Sequence, residues 1–162
     1  MAEVEQEAGS IPLTGGCQCG RVRYRADAIP GRTGYCHCRQ CQRAFGNVFA
    51  VLTSVRRATL AWLGIEPTYF ASSPLARRGF CSSCGTPLTF EYPDSEVVEI
   101  AVGSLDDPGL VRPTSHSGVE SQVAWLALDD GLPRRLTEED PAYRARCASL
   151  QGSGGAASGR VG

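Results

Sequence analysis

The chain contains no lysine. All sixteen of its basic residues are arginine, scattered along its length, and seventeen acids bring the formal net charge to −1. Without a basic run or tail there is no electrostatic footprint for nucleic acid or for an acidic membrane surface, so neither partner is expected. Long apolar runs are also missing. No stretch approaches the roughly 18 consecutive apolar residues that span a bilayer. Met1 to Gln6 is acidic and lacks the basic segment and apolar stretch of a secretory signal. What remains is ordinary. Apolar residues make up 42% and charged residues 20% of 162 positions, the balance of one folded domain with its own core.

Cysteine is what the chain has in excess. Seven of its eight cysteines fall into three short clusters: Cys17-Gln18-Cys19, Cys36-His37-Cys38-Arg39-Gln40-Cys41, and Cys81-Ser82-Ser83-Cys84. C-x-C and C-x-x-C turns suit a tetrahedral metal, which takes two sulfurs from one short loop at about 2.3 Å each. They suit disulfides poorly, because only a strained bridge closes within such a turn. With no secretory signal, the clusters point to a reducing cytoplasm with thiols on metal. Seven divides as four plus three. Four thiolates make a closed structural zinc site, whereas three leave a coordination position for water or substrate.

Along the chain, residues 1–12 read as a flexible leader, 13–136 as the folded domain, 137–150 as a C-terminal helical segment and 151–162 as a disordered Gly/Ser/Ala tail. Val22, Tyr24 and Ala26 alternate with Arg21, Arg23 and Arg25, the period of a half-buried strand, and Ile29-Pro30-Gly31 signals a turn. Gln42 to Phe45 reads as a short helix stopped by Gly46, with Cys38 and Cys41 near its N-terminus, where the helix dipole favours thiolate. Strands are expected over Asn47–Val55, Thr59–Leu63, from Thr68, over Pro87–Tyr92, Val97–Val102 and Val123–Leu128. Asp140-Pro141 offers an N-cap and a first-turn proline for a helix to about Leu150. The fold class is mainly β, with metal knuckles at strand ends and a short C-terminal helix.

Spacing alone does not divide the seven thiols. Cys17 and Cys19 with Cys81 and Cys84 is the expected four-thiolate staple, but Cys17/Cys19 can equally pair with Cys38/Cys41. Iron–sulfur ligation is a weaker rival, since C-x-C-x-x-C recurs there. His37 is expected to point away from a metal held by its two neighbours. Cys147 stands apart as a free, half-buried thiol. Trp125 is expected in the core, and His116 either as a substrate or proton-relay group or as a loop histidine bonded to backbone.

Taken together, Gly16-Cys17-Gln18-Cys19-Gly20, Cys36-His37-Cys38-Arg39-Gln40-Cys41 with Gly46 beyond it, and Phe80-Cys81-Ser82-Ser83-Cys84-Gly85-Thr86-Pro87-Leu88 resemble the glutathione-dependent formaldehyde-activating enzyme family, which includes the centromere protein V domain. Gly103-Ser104-Leu105-Asp106-Asp107, Pro113 to His116, Trp125 and Gly131-Leu132-Pro133 extend the resemblance, which runs from about Leu13 to Leu136. It implies an Mss4-like β-fold and two zinc ions. Cys17, Cys19, Cys81 and Cys84 would hold a structural zinc, and Cys36, Cys38 and Cys41 a catalytic one. It also implies a carbon–sulfur lyase activity on the adduct of a small thiol, glutathione or similar, with an aldehyde, formaldehyde or similar. The chain departs from the family at Gln42, at Ser117-Gly118 and at Gln122. Two other classes compete with the enzyme: a zinc module that binds a macromolecule, and a thiol or redox sensor built on a labile three-cysteine site.

Overall fold

The computed structural model describes residues 9–152. Ten strands form one mixed sheet: β1 (Ile11–Gly16), β2 (Arg23–Cys36), β3 (Ala50–Arg56), β4 (Ala61–Trp62), β5 (Thr68–Ala71), β6 (Arg77–Phe80), β7 (Pro87–Glu91), β8 (Val97–Ala101), β9 (His116–Ser117) and β10 (Arg134–Arg135). The order is β10-β9-β2-β3-β8-β7-β6-β5, with β1 and β4 also on β2. Two α-helices complete the fold, α1 (Arg39–Phe45) and α2 (Pro141–Gly152). The mainly β expectation with a short C-terminal helix holds. Residues 1–8 of the expected leader and 153–162 of the expected tail lie outside the described residues. Ile11 and Pro12, assigned to the leader from sequence, belong to β1 and pair with Ala28 and Asp27.

Period-two alternation builds the core. Tyr24, Ala26 and Ala28 of β2 turn inward against Leu13, Val55, Leu88, Val98 and Ile100, while Arg25 stays exposed. The expected turn at Ile29-Pro30-Gly31 is instead an irregularity within one long β2. Pairing with β3 shifts between Ala28 and Thr33, and Gly31 takes a positive φ of 71°. The strand expected over Val123–Leu128 is absent, and Trp125 within it is 74% exposed, not in the core. That segment has no strand neighbour; Val123, Leu126 and Leu128 are half-buried, while Ala124, Trp125 and Ala127 face solvent.

The sheet folds over on itself. β3 and β8 separate β2 from β7, roughly 14 Å in a flat sheet. Yet the loops that follow β1 and β6 meet. The bridge between Gly15 and Leu105 closes the same seam from the other side. Gly15 allows it, since a Cβ there would lie 2.4 Å from Ser104 O.

A second, smaller apolar cluster forms around Cys41, Ala50 and Leu52, with Phe45 and Phe90 packed on it. Glu99, paired in register with Ser54 and Phe90, accepts a hydrogen bond from Ser54 Oγ at 2.8 Å. Burial pushes its carboxyl above the ordinary glutamate value, against the pull of Ser54 and Arg32. An acid whose pKa is raised by folding contributes its full share of stability below the unfolded value. It loses that share as pH rises through the folded value. Glu99→Gln, which keeps an acceptor for Ser54, should therefore raise Tm at neutral pH, with the gain vanishing towards pH 4. Thermal melts across that range check it.

Candidate metal centres

Turn chemistry delivers the first cluster. Cys17 N–H donates to Val22 O and Gly20 N–H to Cys17 O, each at 3.0 Å, so the chain doubles back around Cys17 and Cys19. Cys81 and Cys84 sit on a matching knuckle, where Gly85 N–H donates to Cys81 O at 2.8 Å. Gly20 and Gly85 hold φ of 77° and 76°, a region that other residues enter only with strain. Gln18 N–H reaches Thr86 Oγ1 at 3.1 Å and ties the two knuckles together. The four sulfurs lie within 4.8 Å of one another.

The second cluster comes from the end of β2 and the start of α1. Cys36, Cys38 and Cys41 bring three sulfurs within 4.8 Å of one another. Cys38 is the N-cap of α1, and its Sγ accepts from Cys41 N–H at 3.4 Å. Gly46, with φ 59°, ends the helix, and its N–H donates to Gln42 O. Cys36 Sγ donates to Cys38 Sγ at 3.5 Å. This bond and the contact with Cys41, helped by the charge of Arg78, pull the Cys38 thiol down to about 2, while the neighbouring Cys38 and Cys41 sulfurs push Cys36 up.

Both donor sets fit a tetrahedral metal. Sulfurs at about 2.3 Å from such an ion lie roughly 3.8 Å apart. The observed separations are 3.5 Å for Cys17–Cys19, 3.7 Å for Cys19–Cys81 and 3.5 Å for Cys36–Cys38. A disulfide would need about 2.05 Å. The geometry brings Cys17/Cys19 together with Cys81/Cys84 and keeps them apart from Cys38/Cys41. Cys147, half-buried on α2, belongs to neither group.

His37 points away from the sulfurs. It is fully buried, and its Nε2 lies 2.8 Å from His116 Nδ1. His116 is also fully buried, on β9, and its Nε2 lies 2.9 Å from Asp130 Oδ2. A carboxylate only accepts, so His116 presents Nε2–H to Asp130, and its Nδ1 accepts from His37 Nε2–H. Burial holds His37 below the ordinary imidazole value, in keeping with this neutral form. Tyr35 stacks on His116 with ring centroids 4.7 Å apart. His116 is therefore no loop histidine on backbone acceptors. Its side chain links the buried His37 to the exposed Asp130 and so anchors the residue between Cys36 and Cys38.

The family departures have local causes. Gln42 is buried; its Nε2 donates to His37 O at 2.6 Å and to Ser121 O at 2.9 Å, and its Oε1 accepts from Arg39. Gly118, with φ 63°, packs so close that a Cβ would lie 2.8 Å from Cys38 N. Gln122 bridges Arg134 and Leu126 O. Sequence reasoning missed Asp130, whose Asp-Asp-Gly context reads as a turn, and Arg78. Arg78 Nη2 lies 3.3 Å from Cys41 Sγ, and its guanidinium covers the Phe90 ring at 4.7 Å. Beside it, Phe45, Phe70, Phe80 and Pro87 line a cavity of about 250 Å³.

The pattern of the family described as "Glutathione-dependent formaldehyde-activating enzyme" matches residues 12–121. A curated relative from Halomonas elongata, named a putative glutathione-dependent formaldehyde-activating enzyme, is 28% identical over 127 residues, covering 72% of this chain and 81% of its own. An uncharacterized lyase of Schizosaccharomyces pombe is 28% identical over 118 residues, covering 72% of this chain and 78% of its own. Among solved structures, a Rhodobacter sphaeroides protein superposes with a TM-score of 0.50 at 18% identity, over 76% of this chain and 99% of its own. That likeness concerns the fold.

Proposed function

Because this chain belongs to the glutathione-dependent formaldehyde-activating enzyme family, we propose that it is a zinc enzyme of carbon–sulfur lyase type that makes and breaks the adduct of a small thiol with an aldehyde. Glutathione and formaldehyde are the pair that the family name supplies. The carrying observation is the three-thiol cluster. Cys36, Cys38 and Cys41 gather without a fourth cysteine, histidine or carboxylate among the described residues, and the adjacent His37 is committed to His116. Such a set leaves a coordination position open, whereas Cys17, Cys19, Cys81 and Cys84 form a closed, structural set.

A zinc ion on Cys36, Cys38 and Cys41 supplies positive charge that favours the ionised form of a thiol bound beside it. The residues of this chain do the positioning. Cys38 and Cys41 are held by the first turn of α1, and Cys36 by its pairing with Ala50 on one side and Ser117 on the other. Gln42 and the His37–His116–Asp130 chain anchor the loop at His37, by its backbone carbonyl and by its side chain. In the reaction, the thiol sulfur attacks the aldehyde carbon, the C–S bond forms, and the thiol's proton ends on the former carbonyl oxygen. The reverse path breaks the same bond and releases both partners. Holding the sulfur in place converts an encounter in solution into reaction at a fixed position.

The test is adduct exchange. Purified zinc-loaded protein should accelerate interconversion of glutathione plus formaldehyde with S-hydroxymethylglutathione, read by magnetisation exchange on labelled formaldehyde, and should hold two zinc ions per chain. An exchange rate equal to the spontaneous one at all protein concentrations overturns the proposal.

A further inference from the structure

Arg78 is a buried cation with no carboxylate. It is 4% exposed and takes part in no ion pair among the described residues. Strand alternation explains why. Adjacent residues of β6 face opposite sides of the sheet, so Arg77 meets Glu91, its register partner, at 3.2 Å. Arg78 is paired instead with Phe90 and turns to the side occupied by α1. There its Nη2 reaches Cys41 Sγ, and its Nε and Nη1 are buried without an acceptor.

An arginine does not lose its proton inside a protein, and a buried charge without a counter-charge is strongly unfavourable. Something facing Arg78 must be negative, and the group at contact distance is the cysteine cluster. Three thiolates around a divalent ion carry one net negative charge, which a single guanidinium cancels. The four-cysteine set differs, since Arg21 and Arg23 beside it are bound at the surface to Ser83 Oγ and to the Asp106 carboxylate.

We propose that Arg78 is the built-in counter-charge of the three-cysteine centre: a positioning residue that holds Cys41 through an N–H···S bond and makes the metal-loaded site neutral. A neutral site admits an anionic thiolate as its fourth ligand without stacking a second negative charge on the first. The same residue lies three positions before Cys81, so the closed four-cysteine knuckle fixes the strand that presents the charge to the open one. This inference rests on the reading that Cys36, Cys38 and Cys41 hold a metal.

Arg78→Met removes the charge and keeps apolar bulk; Arg78→Lys keeps the charge without the planar fork. With zinc-loaded full-length protein and a chromophoric chelator, Arg78→Met should release one of its two zinc ions roughly 10–100-fold faster than wild type, the usual effect of removing a partner of a metal ligand. The second zinc should be unaffected, and Arg78→Lys should recover most of the retention. With cobalt in place of zinc, glutathione should perturb the thiolate-to-metal absorption of wild type at lower concentration than that of Arg78→Met. If Arg78→Met fails to fold, the closer isostere Arg78→Gln takes its place. Release at the wild-type rate overturns the inference, as does Arg78→Lys behaving like Arg78→Met, which would make the role one of packing. Faster release from Arg78→Met in a protein that shows no adduct exchange would leave the inference standing and remove the enzymatic reading. Normal release alongside normal exchange would do the reverse.

Discussion

Cys84→Ser is expected to unfold the domain. The four-cysteine set joins the loop after β1 to the loop after β6, and between their parent strands the sheet must bend back on itself. Besides the bridge at Gly15–Leu105 and Asp106 N–H to Thr14 O, the polar contacts across that seam are Gln18 N–H to Thr86 Oγ1, Arg21 to Ser83, Thr14 and Arg23 to Asp106, and Tyr24 to Ser104, and only the last of these is buried. A structural zinc contributes about 10–16 kcal/mol of apparent binding free energy, comparable to the entire 5–15 kcal/mol stability of a typical domain. A serine hydroxyl stays protonated at neutral pH and is a far poorer ligand than thiolate. Circular dichroism of Cys84→Ser should show loss of the β signal and of the cooperative melt, and metal analysis should show no tightly held zinc. A variant that melts near wild type would make the seam self-sufficient and the zinc incidental.

Cys38→Ser should behave in the opposite way. Its position is the N-cap of α1, and serine is among the best N-caps, able to accept from Cys41 N–H as the sulfur does now. The helix, Gln42 and the buried histidine chain have no reason to move. The donor set, however, falls from three sulfurs to two. The expected result is a folded, cooperatively melting protein with one zinc fewer and adduct exchange reduced by more than roughly 100-fold, beyond what disturbing an outer partner costs. The two variants together test the division of labour, because equal loss of thermal stability in both would sink it.

How much of this was legible in the sequence follows from the range of each interaction. The knuckles are local, and C-x-C and C-x-x-C with flanking glycines announce them. The alternation through Val22, Tyr24 and Ala26 announces an inward face for the same reason. The grouping of the thiols is not local. Spacing left open whether Cys17/Cys19 meet Cys81/Cys84 or Cys38/Cys41, and only the folded sheet separates the two. Arg78 was invisible because Arg77 and Arg78 are alike on paper. Which of them meets Glu91 and which meets Cys41 depends on strand register. Trp125 misled because an apolar hexamer looks like a strand, and nothing in its letters says that no neighbour waits to pair with it. His116 looked like a loop residue because β9 is two residues long, too short to show a period.

The parallel pairing of β9 with the end of β2 also sets an order of events on the ribosome. Cys36, Cys38 and Cys41 are synthesised early, and β2 and β3 can pair as soon as Arg56 has emerged. Ser117 O, which receives His37 N–H at 2.8 Å, follows some eighty residues later, and Asp130 later still. Contacts of such sequence separation form slowly, since the intervening chain must be closed first. Until then the three thiols are exposed on a nascent chain without their buttress, open to any soft metal or oxidant. The four-cysteine knuckle is complete by residue 84, so the closed centre is in a position to assemble first and hold the sheet while the open one waits for its last strand.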